Sequence, residues 1–179
     1  MCDASGDTLL GALEWLPEPV RQAALEGPHI RPRSEFADQS LPSLFLAQLQ
    51  AHPDTTAVRA LDGSLSYQEL GDRAAAIAAG LSAHGIKRGD CIAVTLPRSI
   101  DMVASWLAIL SVGASYVPLD AADPPERLAR IIEGAGCTFL ISHEDTDTIG
   151  KPDSIACATP QSLAHLQDEA VFSVGPATP

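Results

Sequence analysis

Glycine, lysine and hydroxyl groups set close together can grip a phosphate, since a residue without Cβ lets backbone N–H groups reach the oxygens. Thr148-Ile-Gly-Lys-Pro152 is the nearest approach to that combination, with a single glycine, and a solvated turn is expected there. His143-Glu144-Asp145 offers an imidazole and two carboxylates. Adjacent side chains diverge, however, and His29, His52, His84 and His165 are scattered without ligand spacing, so a polar loop is expected rather than a metal centre. No Gly-x-Ser-x-Gly elbow presents a serine nucleophile, and no cysteine and histidine are spaced as a pair. The strand-to-helix junctions Leu96-Pro-Arg-Ser99 and Leu119-Asp-Ala-Ala122 contain no glycine, which disfavours a dinucleotide site. Catalytic, cofactor-binding and metal-ligating residues are therefore all assigned as none.

The elements that would position a site are more legible. Ser40 caps a helix that carries Leu41, Leu44, Phe45 and Leu49. Residues 56–61, an Asp62-Gly63 turn and Leu65-Ser-Tyr67 read as a hairpin, and Ser66 with Glu69 as the capping box of the next helix, which buries Leu70, Ala74, Ile77 and Leu81. The apolar run 91–96, a helix over 99–112 capped by Ser99 and a strand over 114–119 form a βαβ unit, expected to be right-handed. Asp123 as cap and Pro124 at the first position begin a helix over 124–134, and Cys137–Ile141 is the following strand. This alternation predicts an α/β fold with an open, largely parallel sheet. Short strands are expected at 155–158 and 170–174, in a polar tail that begins near 143. Residues 1–38 read as a leader or linker, with Leu9, Leu10, Leu13, Leu16 and Val20 on one amphipathic helix interrupted at Pro17 and Pro19; residues 39–179 are the globular part.

Composition limits the partners. The 179 residues carry 23 acidic and 11 basic side chains, a formal net charge of −12 that repels nucleic acid and anionic lipid. No segment has the ~18 uninterrupted apolar residues of a membrane span. Cys2, Cys91, Cys137 and Cys157 are widely separated, two of them inside apolar runs, as expected of reduced thiols in a cytoplasmic protein.

Leu110-Ser-Val-Gly-Ala-Ser-Tyr-Val-Pro-Leu-Asp120 resembles a core motif of the adenylation domains of nonribosomal peptide synthetases, with matches at Leu110, Gly113, Tyr116, Val117, Pro118, Leu119 and Asp120. Ser111 stands where the motif usually has lysine, and Ala121 where a proline often follows. Leu65-Ser-Tyr-Gln-Glu-Leu70 is similar to the family's first core motif through Leu65, Tyr67, Glu69 and Leu70, and Gly85 to Ser99 is similar to the stretch between the two. The ordered matches run from Leu41 to Ser142.

The resemblance implies the incomplete N-terminal subdomain of an adenylate-forming enzyme. The parent reaction joins an amino acid to ATP, with Mg²⁺, and passes the aminoacyl group to the phosphopantetheine thiol of a carrier domain. It implies further that the phosphate loop, amino-acid pocket and catalytic lysine fall beyond Pro179, so that these motif residues are scaffold and the chain alone is inactive. Expected partners are the remainder of the domain or synthetase, a carrier or condensation domain, and an MbtH-like protein. The alternative reading is a noncatalytic interaction module or truncated relic that binds a synthetase domain or an MbtH-like partner. Arg88-Gly-Asp90 spells an integrin-type tripeptide but is expected as a turn before a strand. Asp153-Ser154-Ile155 echoes a carrier-domain attachment serine, yet follows Lys151-Pro152 instead of paired glycines.

Overall fold

The computed structural model describes residues 17–25, 39–143 and 155–165. The backbone divides into units Met1–Asp38 and Gln39–Pro179. In the first, α1 (Glu18–Leu25) starts where the sequence predicts an interruption: Pro17 accepts the first helical bonds from Val20 and Arg21, and Pro19 sits in the first turn, where its missing N–H costs nothing. Leu9, Leu10, Leu13 and Leu16 lie outside the described residues.

In the second unit, Ser40 Oγ accepts the Ser43 N–H at 3.2 Å and opens α2 (Leu41–Ala51). Strands β1 (Thr56–Ala60) and β2 (Gly63–Ser66) pair antiparallel, with Ala60 opposite Gly63. The turn therefore falls on Leu61-Asp62, one residue earlier than expected. The Asp62 carboxylate is drawn off to accept the backbone N–H of Ile100 at 3.1 Å, and Gly63, at φ 135°, begins the return strand. The capping box forms as expected at the start of α3 (Tyr67–Ala83): Ser66 N–H donates to Glu69 Oε2 at 2.8 Å and Glu69 N–H to Ser66 Oγ at 3.2 Å. Those bonds from Ser66 hold the Glu69 carboxyl below its ordinary pKa.

Then follow β3 (Cys91–Thr95), α4 (Ile100–Ser111), β4 (Ser115–Pro118), α5 (Pro125–Gly134), β5 (Phe139–Ser142), β6 (Ala156–Ala158) and α6 (Pro160–Ala164). The four strands form one sheet in the order β4-β3-β5-β6, and every pairing is parallel. Alternation along the central strands supplies both faces of the core. Ile92, Val94, Phe139 and Ile141 pack with α3, α4 and Leu163 of α6, while Ala93 and Leu140 pack with Leu128 and Ile132 of α5.

Several boundaries shift for local reasons. Asp123 does not cap α5; its N–H completes a turn onto the Asp120 carbonyl and its carboxylate pairs with Arg127 at 3.4 Å, so Pro124 precedes the helix and Pro125 opens it. Strand β5 begins at Phe139 instead of Cys137, because Gly136, at φ 63°, and Cys137 return N–H bonds to Glu133 and Ile132 and close α5. The tail supplies β6 near the expected strand at 155–158, and also α6, which was not expected. The expected strand at 170–174 lies outside the described residues.

Helix α6 is held by one carboxylate and one glycine. Buried Asp101 of α4 accepts from Arg73 Nε of α3 at 2.6 Å and from Gln161 Nε2 of α6 at 2.6 Å. A Cβ on Gly80 would overlap the Leu163 backbone. Asp101→Ala is expected to lower unfolding free energy by about 2 kcal/mol, since it strands two donors of which Arg73 is partly solvated; urea denaturation measures it. The lowered pKa of Glu69 means that its contribution is present above the unfolded carboxyl pKa and is lost as pH falls through the folded one. Urea midpoints of Glu69→Gln should therefore lie below the parent's near neutrality and converge with them in acid.

Candidate functional site

Parallel strands place every strand-to-helix loop at the same edge of the sheet. β3 has β4 on one side and β5 on the other. Helix α4 covers one face and α5 the opposite face. The chain thus changes direction at β3, and loops leaving adjacent strands part there, which is where open α/β sheets hold ligands. A cavity of about 880 Å³ occupies this position. Thr95, Leu96 and Arg98 border it from the end of β3, Met102 and Trp106 from α4, Pro118, Leu119 and Asp120 from the end of β4, and His143 from the end of β5.

The segment from Leu110 to Asp120 builds one wall. Ala114 N–H bonds the Ile109 carbonyl and Gly113 N–H that of Leu110, closing α4 through a glycine at φ 78°. Gly113 O then accepts from Gly89, and Ser115 N–H donates to Asp90 O at 2.9 Å, which brings the returning chain alongside β3. Tyr116 stacks on Trp106 with ring centroids 5.2 Å apart and planes 15° apart. Val117 lies opposite Ala93, and Leu119 N–H donates to Val94 O at 2.8 Å, carrying the ladder past Pro118 to the cavity rim. Asp120 then forms a turn, its Oδ1 accepting the Ala122 N–H at 3.0 Å. Ser111, at the motif's lysine position, is buried and donates its hydroxyl to the Ala108 carbonyl at 2.7 Å.

Of the expected motif residues, the structure brings Pro118, Leu119 and Asp120 to the cavity, and Gly113, Tyr116 and Val117 support them. Leu65, Tyr67, Glu69 and Leu70 lie elsewhere, at the corner between β2 and α3, where Leu65 and Leu70 join the core and Tyr67 meets Phe45 with centroids 5.7 Å apart. Thr95, Arg98, Trp106 and His143 were missed as site residues. The signal for three of them was positional, since Thr95 ends β3 and Arg98 and His143 follow the ends of β3 and β5, whereas Trp106 is visible only once α4 is placed on the sheet. Thr95 Oγ1 and Trp106 Nε1 are buried without a protein partner, so two polar groups bordering the cavity are unsatisfied.

Asp123 is paired with Arg127 and Asp120 with its own turn, and among the described residues no group of three His, Cys, Asp or Glu side chains could hold an ion. Nor do the described residues supply a glycine-lined cradle for nucleotide phosphates. Arg88-Gly-Asp90 is a turn, as expected: Gly89 has φ 88° and Asp90 Oδ2 accepts the Lys87 N–H at 2.9 Å. Residues 144–154, with the Thr148 to Pro152 run and Ser154, lie outside the described residues. No helix among the described residues is long and apolar enough to cross a membrane.

Residues 45–175 match the family model of AMP-binding enzymes. The phosphinothricin tripeptide synthetase PhsB of Streptomyces viridochromogenes is 33% identical over 90% of this chain and 15% of its own length. The phenyloxazoline synthase MbtB of Mycolicibacterium paratuberculosis is 41% identical over 66% of this chain and 10% of its own, and malpibaldin synthetase of Mortierella alpina 42% over 62% and 2%. The chain thus spans a small part of the curated relatives it matches. Among solved structures, the N-terminal subdomain of Klebsiella oxytoca NpsA in complex with 3-hydroxyanthranilyl-AMSN superposes with a TM-score of 0.71 at 24% identity, over 82% of this chain and 38% of that one, a likeness of fold. The chain belongs to the family of AMP-binding enzymes, and the stretch it shares with them is the N-terminal part of a nonribosomal peptide synthetase adenylation domain.

Proposed function

We propose that this chain is the scaffold part of an amino-acid-activating adenylation domain. In the complete domain an amino-acid carboxylate attacks the α-phosphorus of ATP and pyrophosphate leaves; the phosphopantetheine thiol of a carrier domain then attacks the acyl carbon of the aminoacyl adenylate, taking the aminoacyl group as AMP leaves. The observation that carries this reading is the course of Leu110–Asp120, which closes a buried helix, enters the sheet beside its central strand and delivers Pro118-Leu119-Asp120 to a cavity at the carboxyl edge. In this reading Leu65, Tyr67, Glu69, Leu70, Gly113, Tyr116, Val117, Pro118, Leu119 and Asp120 act by shaping that edge, and none performs chemistry. Residues 1–38 serve as leader or linker and 39–179 as the partial subdomain.

ATP and Mg²⁺ are the cofactors of the complete domain and would be held by residues outside the described ones. The solved adenylation–carrier fusion of NpsA with ThdA supports a carrier domain as partner. An MbtH-like protein is a second proposed partner. The thiols of Cys91 and Cys137, neither of them in a disulfide, support a cytoplasmic setting.

The test is amino-acid-dependent exchange of labelled pyrophosphate into ATP. The chain alone should show none, and mixing it with the separately expressed remainder of the domain should restore exchange; no gain over the remainder by itself would contradict the reading. Gly113→Ala should destabilise the chain by about 1–2 kcal/mol, because alanine is strained at positive φ and its Cβ would press on Arg88. Gly134→Ala, in open space at a helical position, should stabilise it by about 0.5 kcal/mol. Thermal denaturation of the two variants separates these signs.

A further inference from the structure

The end of the sheet opposite the cavity holds two thiols in contact. Cys91 is the first residue of β3, Cys137 precedes β5, and the Cys137 S–H points at Cys91 Sγ across 3.8 Å. Their backbones are fixed against each other, for Thr138 N–H donates to the Cys91 carbonyl at 2.9 Å and its hydroxyl donates to the same oxygen at 3.4 Å. The two sulfurs differ in access: Cys91 is half-buried, whereas Cys137 is 7% exposed. Burial, reinforced by the neighbouring Cys91, pushes the Cys137 thiol up to about 12. Cys91, the more exposed of the two, is therefore the sulfur that meets a reagent from solvent.

We propose that Cys91 and Cys137 are a redox pair, in which Cys91 takes the oxidant and Cys137 closes a reversible disulfide that staples β3 to the junction of α5 and β5. With hydrogen peroxide as oxidant, Cys91 loses its proton to water and its sulfur attacks the peroxide. An S–O bond forms, the O–O bond breaks, and hydroxide leaves and is protonated. Cys137 Sγ then attacks Cys91 Sγ; the S–S bond forms, the S–O bond breaks, and the thiol proton departs with the hydroxide as water. The two thiols supply two electrons, one molecule of peroxide accepts them, and a dithiol reductant reverses the outcome. Drawing the sulfurs to the ~2.05 Å of a disulfide needs side-chain rotation at two positions already in contact. Cys157 is outside this pair, with its sulfur 3.3 Å from Ser142 Oγ.

The experiment treats the full chain, carrying Cys2→Ser and Cys157→Ser, with hydrogen peroxide, alkylates remaining thiols and measures intact and peptide masses. The expected product is monomeric, two hydrogens lighter, free of alkyl adducts and linked between the peptides of residues 91 and 137. It should melt about 5–15 °C above the reduced chain, and dithiothreitol should reverse both changes. Adding Cys137→Ser should leave a sulfenic acid on Cys91 that dimedone labels, whereas Cys91→Ser should leave Cys137 alkylatable. Two adducts per chain after peroxide, Cys91 over-oxidised without a link, or a link between chains would overturn the proposal. If a variant fails to fold, the same peptide mapping on the unsubstituted chain distinguishes these outcomes.

Discussion

Strand β3 is the constraint from which the rest of the structure follows. Its backbone is engaged on both edges, by β4 and by β5, and its side chains are buried on both faces, Ile92 and Val94 toward one helical layer and Ala93 toward the other. A strand so placed is built mostly from apolar residues, Thr95 at its end excepted, and a one-residue slip would exchange its two faces. Because both neighbours run parallel to it, the connections must cross over with helices, and the loops leaving the three strands converge on one edge. The cavity is a product of that topology before any side chain is chosen to line it.

Polar groups then determine how the outer elements sit on this sheet. The Asp101 carboxylate joins α3, α4 and α6 through Arg73 and Gln161, and the Asp62 carboxylate holds the hairpin turn to the first backbone N–H of α4. Each sits near the amino end of α4, where the helix's free N–H groups favour negative charge. The helix that forms one wall of the cavity is therefore anchored at the end nearest the cavity, and the glycine closing its other end directs the chain into β4.

Local signals were legible in the sequence wherever one residue type has one structural use. The reciprocal bonds of Ser66 and Glu69, the cap at Ser99, the apolar run of β3 and the parallel α/β class all came from such signals. Junctions where two uses compete were misread: Asp62 serves α4, Asp123 serves a turn and Arg127, and Cys137 closes a helix where a strand was expected to begin. Helix α6 carried a readable signal, Thr159 and Ser162 capping each other before buried Leu163, but its stability comes from Gly80 and Asp101, far away in sequence. The site was legible only through the family-like segment ending at Asp120. Trp106, Thr95, Arg98 and His143 meet by virtue of strand order, which no local pattern encodes.

The central claim, that the carboxyl edge of this sheet is the face on which an adenylation site is completed, is tested most directly by hydrogen–deuterium exchange on the chain alone and mixed with the rest of its domain. The account predicts that the amides of Ile92–Thr95 and Phe139–Ile141 exchange slowest in both samples. New protection should appear on mixing at Leu96, Arg98, Leu119 and Asp120. Fast exchange in β3, or protection gained elsewhere while the cavity rim stays unchanged, would contradict it.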